Sequence, residues 1–214
     1  MNNEYTVYKV TPEENNSVIK NNILDTCKTR FAFVIQDDID YDVAILDEYC
    51  ELLIKYKTCL TFYGYYGQAN KVLLVNNPAV DVKISDNEHL IVNRSVSKGF
   101  ICMDVSSINS YNLHFDINIK TAEMEEFMSR ISKVPGLLPF GEGYYIDLQD
   151  SNRIKIKNNY EYKFDVVKLN NEILADKKYL ESIKYKPEIN PNVNTFLLLV
   201  KKFVAEYNLK INEK

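Results

Sequence analysis

The sequence is poor in the residues that usually announce a reaction. Four cysteines and two histidines are spread through 214 residues, with no tryptophan and only six glycines. Cys27, Cys50, Cys59 and Cys102 stand singly, without the CxxC pairs of zinc sites and redox dithiols, and a chain of this size has no need of disulfide staples. A reducing, cytoplasmic setting is expected. Neither glycine cluster, Gly64–Gly67 or Gly141–Gly143, carries the lysine-serine end of a P-loop or the GxGxxG spacing of a dinucleotide site. No serine or cysteine has a neighbouring histidine to activate it. No run approaches the 18 or so apolar residues of a membrane span, and Met1–Glu4 opens without the basic and apolar regions of a signal peptide. Internal repeats and low-complexity linkers are absent too.

What is present is a chain able to bury a core, 46% hydrophobic and carrying a net charge of −4. The charge is uneven. Residues 151–214 hold 13 Lys+Arg and 8 Asp+Glu, leaving 13 and 22 for residues 1–150, so an acidic body carries a basic tail. The overall balance argues against a general grip on nucleic acid phosphates.

The hydrophobic pattern alternates between strand and helix. Thr6–Val10 reads as a strand, and Thr11-Pro12-Glu13-Glu14 as an N-cap with proline at the first helical position, predicting a helix over about 12–29 with Val18, Ile19, Ile23, Leu24 and Cys27 on its buried face. Phe31–Ile35 is continuously apolar, as suits a strand covered on both sides. Residues 44–57 form a helical stripe, 59–63 and 72–75 read as strands, and 80–84 with 90–92 as a hairpin. Further expectations are a buried strand at 99–103, a short helix at 105–111, a helix over 121–133 capped by Thr121, and a strand at 144–146. Two helices, roughly 170–184 and 192–209, close the chain, the second with Phe196, Leu199, Val200, Phe203 and Tyr207 on one face.

Chemistry is concentrated in acids. The strand ending at Gln36 runs into Asp37-Asp38-Ile39-Asp40, and ligands of open α/β sheets bind beyond the carboxyl ends of the strands. Carboxylates at i and i+2 can converge on Mg²⁺ or Mn²⁺, which in turn neutralises a diphosphate. The alternative is a solvated turn that caps the next helix. A second cluster, Glu123-Met124-Glu125-Glu126-Phe127-Met128-Ser129-Arg130, sets Glu126 one turn before Arg130 and Glu123 two turns before it. Its acids can serve as a general base or as ordinary surface charge pairs. His114, between Leu113 and Phe115, reads as structural.

Phe33–Asp40, Gly99–Asp116 and Glu123–Arg130, in that order, resemble the second half of a GT-A glycosyltransferase of the family 2 type, whose pattern is a "flDDD" strand end, an apolar strand and helix leading to "GgFDE", and then "EDxDLxxR". The resemblance covers about residues 17–147. It implies an α/β fold with a GT-A-like, mostly parallel sheet flanked by helices over residues 1–165, and a C-terminal helical extension over 166–214. It also implies a metal-dependent transferase moving a sugar from a nucleotide-diphosphate donor to a glycan or other acceptor hydroxyl. Asp38 and Asp40 would hold Mn²⁺ or Mg²⁺, with Asp37 as neighbour or alternate ligand. Glu123 or Glu125 would be the base, because Met124 occupies the position of the family's catalytic aspartate. The aromatic-glycine clusters Tyr63–Gly67 and Phe140–Tyr145 suit either sugar stacking in an acceptor cleft or loop packing, and on the first reading Tyr63, Tyr65, Tyr144 and Tyr145, with Arg130, would line the donor and acceptor sites. No histidine follows the acidic helix as a late metal ligand, a place that Asp147 or Asp150 could take. Only 36 residues precede Asp37, room for one βαβ unit, so the family's nucleotide-binding half is shortened. The rival expectation is a degenerate domain of this fold that assembles with itself or with a partner protein through the C-terminal helices.

Overall fold

The computed structural model describes residues 4–57, 60–63, 80–83, 89–92, 99–121, 123–131, 133–137, 153–157, 166–184 and 193–211. They form a mixed α/β architecture. Strands β1 (Tyr5–Val10), β2 (Phe31–Gln36), β7 (Phe100–Asp104) and β4 (Thr61–Tyr63) make one sheet in the order β1-β2-β7-β4. β1 and β2 are parallel, joined through helix α1 (Ser17–Thr26), while β7 runs antiparallel to both β2 and β4. Three strands therefore point one way with β7 reversed among them, so a single neighbour pair is parallel.

β3 (Ile39–Tyr41) pairs with β8 (Ile154–Ile156), and β5 (Val80–Lys83) lies between β6 (His89–Val92) and β9 (Lys210–Ile211). The hairpin read from the alternation at 80–84 and 90–92 is present. The remaining described helices are α2 (Ala44–Lys55), α3 (Val105–Ser110), α4 (Glu123–Ile131), α5 (Val166–Ser182) and α6 (Val193–Glu206). The strands expected at 72–75 and 144–146 lie outside the described residues.

The sheet separates two apolar layers because successive side chains of a strand point to opposite faces. Phe31, Phe33 and Ile35 of β2, with Phe100 and Cys102 of β7, face α2 and α6. Ala32, Val34, Ile101 and Met103 face α1, α3 and α4. Every residue of β2 and β7 is buried, which explains their unbroken apolar runs. Phe100 anchors the first layer, its ring 5.9 Å from Phe33, 5.7 Å from Tyr41 and 5.6 Å from Tyr49. α6 belongs to this layer, with Val200 and Phe203 fully buried and Tyr56, Phe203 and Tyr207 in mutual ring contact. Its buried residues belong to the core.

Two local expectations need correction. Thr11 and Glu14 do form reciprocal bonds, Thr11 N to Glu14 Oε2 at 3.1 Å and Glu14 N to Thr11 Oγ1 at 3.3 Å, but they close only one turn. α1 starts five residues later than the proline suggests, because the Asn16 side chain accepts from Val18 N and Ile19 N. Its buried face is also rotated. Val18 is 59% exposed, whereas Lys20 joins Ile23 and Leu24 inside. The hydroxyl of Thr121, just ahead of α4, donates to Asp176 of α5 at 2.6 Å.

Candidate functional site

The carboxyl edge of β1 and β2 is where the acids gather. The turn at 37–38 is fastened from three sides: Gln36 N donates to Gly99 O (2.8 Å), Asp37 N to Val10 O (2.9 Å) and Lys157 N to Asp38 O (2.8 Å). Through that turn the chain leaves the main sheet and enters β3, which pairs with β8. Asp42 and Arg153 hold the far side of the crossing. Asp42 N donates to Arg153 O at 2.8 Å, and the Arg153 guanidinium donates to Asp42 and, in a fork, to Glu48 at 2.9 and 2.7 Å.

The three aspartates sit at different depths. Asp37 and Asp40 are exposed, the Asp40 carboxyl by 68%, whereas Asp38 is fully buried. Hence Asp38 and Asp40 share the edge but not the solvent. Two cations overlook the turn. Lys157 Nζ donates to Asp37 O at 2.6 Å and lies 3.7 Å from Asp40 Oδ1. Lys9 Nζ donates to Ile39 O at 3.4 Å and sits 4.3 Å above the Tyr41 ring. Burial, then the charge of Lys157, holds the Lys9 ammonium below its ordinary pKa against the opposing pull of Asp40, Asp37 and Asp38.

The second acidic segment reaches the same end of the molecule by a path laid along α1. Asp104 caps α3 by accepting from Ser107 N at 3.0 Å and takes two bonds from Arg30, at 3.1 and 2.8 Å. From there the chain climbs. Asn109 Nδ2 donates to Leu24 O (2.8 Å), Asn21 exchanges bonds with the Phe115 backbone (2.9 and 2.7 Å), and Ser17 Oγ donates to Ile119 O (3.5 Å). Since α1 begins just after the carboxyl end of β1, this path delivers the first turn of α4 to that end.

There Glu123 is 1% exposed and its Oε1 lies 3.5 Å from Lys20 Nζ, which is itself fully buried, 3.2 Å from Asn15 O and 5.7 Å above the Phe115 ring. The pair is sealed. Met124 faces the core at 0% exposure with Phe127, Met128 and Ile131. Glu126 and Arg130 form the expected i,i+4 pair, Nε to Oε1 at 2.5 Å and Nη2 to Oε2 at 2.8 Å. Arg130 also donates to His114 O, while the His114 ring meets Asp25 at the surface, 2.9 Å away. Arg130 is thus engaged within its own layer. Glu125 is on α4, and the Tyr63 backbone is in β4 beside Ile101. Tyr65, Tyr144, Tyr145, Asp147 and Asp150 lie outside the described residues.

Among the described residues, no three acidic, histidine or cysteine side chains are gathered in a metal-binding group. An open groove of about 450 Å³ lies between Lys120 and α5, lined by Val167, Lys168, Asn171, Glu172 and Ala175. It holds none of the acids of the Asp37–Asp40 turn. No helix among the described residues is long and apolar enough to cross a membrane.

Lys9, Lys157 and Asp176 are the residues that sequence reasoning passed over. Lys9 had a usable signal, standing near the carboxyl end of a parallel strand. Lys157 reaches the turn only through the long-range pairing of β3 with β8, which no local pattern encodes. No family model, curated protein or solved structure matches the chain.

Proposed function

We propose that the protein is a GT-A-like glycosyltransferase that takes a nucleotide-diphosphate sugar at the carboxyl edge of β1 and β2 and passes the sugar to an acceptor hydroxyl. The observation that carries this reading is the placement of Asp37, Asp38 and Asp40 beyond the end of a fully buried strand, with the chain after β7 returning α4 toward the same edge.

Carboxylate oxygens suit a hard cation, and Mg²⁺ in particular is held by one or two carboxylates together with substrate phosphates rather than by an all-protein cage. Asp37 and Asp40 would offer their oxygens from the solvent side, with Asp38 beneath them. Mn²⁺ or Mg²⁺, when bound, supplies electrostatic stabilisation of the diphosphate leaving group. The base is assigned to Glu123 or Glu125. An acceptor proton can be taken by Glu123 only once its contact with Lys20 opens.

A second reading, a degenerate domain that binds without turnover, is favoured by two observations. Met124, at the position of the family's catalytic aspartate, faces the core, and Glu123 is closed in an ion pair.

The experiment is a thermal-shift series with UDP-, GDP-, CMP- and dTDP-linked sugars, with and without Mn²⁺, on wild type and on Asp37→Asn/Asp40→Asn protein. A donor at 100 times its Kd raises stability by about 2.7 kcal/mol. A metal-dependent shift in the wild type that the variant loses is the expected result. No shift with any donor overturns the reading. Donor binding without release of nucleotide, on addition of simple glycosides, selects the degenerate domain.

A further inference from the structure

We propose that Lys9 and Lys157 form a cationic clamp for the two phosphates of a diphosphate, one that works without a divalent metal. The proposal rests on the location of the donor site proposed above and adds to it how the diphosphate is recognised.

Both ammonium groups are only partly engaged. Lys157 has a good bond to a main-chain carbonyl, Asp37 O at 2.6 Å, yet its nearest carboxylate oxygen, Asp40 Oδ1, is 3.7 Å away on a largely exposed side chain. Lys9 makes one long bond, to Ile39 O at 3.4 Å, and otherwise meets the face of Tyr41. Among the described residues neither cation has a carboxylate at hydrogen-bond distance, although three aspartates are beside them. An ammonium group has three donors, so both keep donor capacity for an anion.

The groups come from separate elements, β1 and the end of β8, and are brought to one turn by the main-chain bonds of Asp37 and Lys157. The turn therefore presents two positive charges at a fixed place rather than on a mobile tail. Their mutual effect is visible in the lowered pKa of Lys9, to which the charge of Lys157 contributes after burial. A dianionic ligand relieves that repulsion, whereas a further cation adds to it. Asp37 and Asp40 oppose anion binding in the absence of metal and support it when a metal bridges them to the phosphates. Metal and clamp thus act on the same ligand with the same sign of charge, the metal held through the aspartates and the clamp supplied by the lysines.

The test uses inorganic pyrophosphate and, as a separate arm, a nucleoside diphosphate, each with excess EDTA and followed by calorimetry. Wild type is expected to bind pyrophosphate without metal. Lys9→Gln and Lys157→Gln should each weaken binding about tenfold or more, the scale of one charged hydrogen bond. Lys157→Arg should restore most of the loss, and Asp40→Asn should strengthen metal-free binding. Both lysines are solvent-accessible, and their glutamine variants are expected to keep the wild-type unfolding midpoint. Should one of the two glutamine variants fail to fold, the other still decides the question. Absence of metal-free pyrophosphate binding overturns the proposal, as does wild-type affinity in both single variants. Pyrophosphate binding that depends on the lysines, with no response to any nucleotide sugar, leaves the clamp standing and removes the transferase. A metal-dependent donor shift indifferent to both lysines does the reverse.

Discussion

α5 and α6 are neighbours in sequence, both long and both carrying apolar residues at helical spacing, yet they are attached to the body by different forces. α6 drives Val200 and Phe203 into the layer formed by β2, β7 and α2. α5 leaves Val167, Leu169, Ile173 and Leu174 at 71, 39, 47 and 54% exposure. Its anchors are Leu180 and two polar groups. Asp176, 3% exposed, accepts from Lys120 N, Thr121 N and Thr121 Oγ1, and the Tyr179 hydroxyl donates to Asp116 Oδ2 at 2.9 Å while accepting from Asn118. The pair teaches that apolar periodicity marks a helix, but only an opposing apolar surface makes that periodicity a core.

Three substitutions test the contrast. Phe203→Ala should cost about 3–5 kcal/mol in denaturant unfolding, the range for losing a large buried ring. A loss under 1 kcal/mol would mean that α6 is as loosely held as α5. Asp176→Ala should cost about 1–3 kcal/mol, since it strips the acceptor from three buried or half-buried donors. Hydrogen exchange sharpens this one: amide protection should fall in 166–182 and persist in 193–206, and an equal fall in both helices would break the comparison.

The smallest effect is expected at Tyr179, whose pKa is raised chiefly because its hydroxyl donates to Asp116, with burial adding to it. A phenol whose folded pKa exceeds the unfolded value, about 10, contributes stability fully present below pH 10 and lost as pH rises through the folded value. Once the base-catalysed increase common to every amide is divided out, exchange in α5 should therefore still accelerate above about pH 10 in wild type, and Tyr179→Phe should flatten that residual rise. An unchanged alkaline rise in the variant would remove Tyr179 from the attachment.

The same contrast separates what was legible in the sequence from what was not. Phe31–Ile35 and residues 99–103 were readable because a strand buried on both faces must be apolar throughout, and α6 because Val200, Phe203 and Tyr207 of its stripe reach the core. Lys20 was not, since a lysine enters a core only where a partner such as Glu123 arrives from more than a hundred residues away. Asn16 outcompeted Thr11 for the start of α1 because the side chain that reaches two free amides sets the boundary, and spacing alone does not rank two candidates. At the candidate site the acids were legible as a string, but their depths were not. The unlike exposure of Asp38 and Asp40 arises from a turn whose fastenings come from Val10, Gly99 and Lys157.

The placement of Phe203 also bears on how the protein comes into being during translation. Its ring belongs to the same cluster as Phe31 and Phe33, so the layer on that face of the sheet stays open until the ribosome has released the segment containing α6. Until then the nascent chain leaves Tyr56, whose ring meets Phe203 and Tyr207, without that cover, as exposed apolar surface on an incomplete domain. Contacts this distant in sequence are slow to close, and α6, the most C-terminal of the described helices, is the one that ends the exposure.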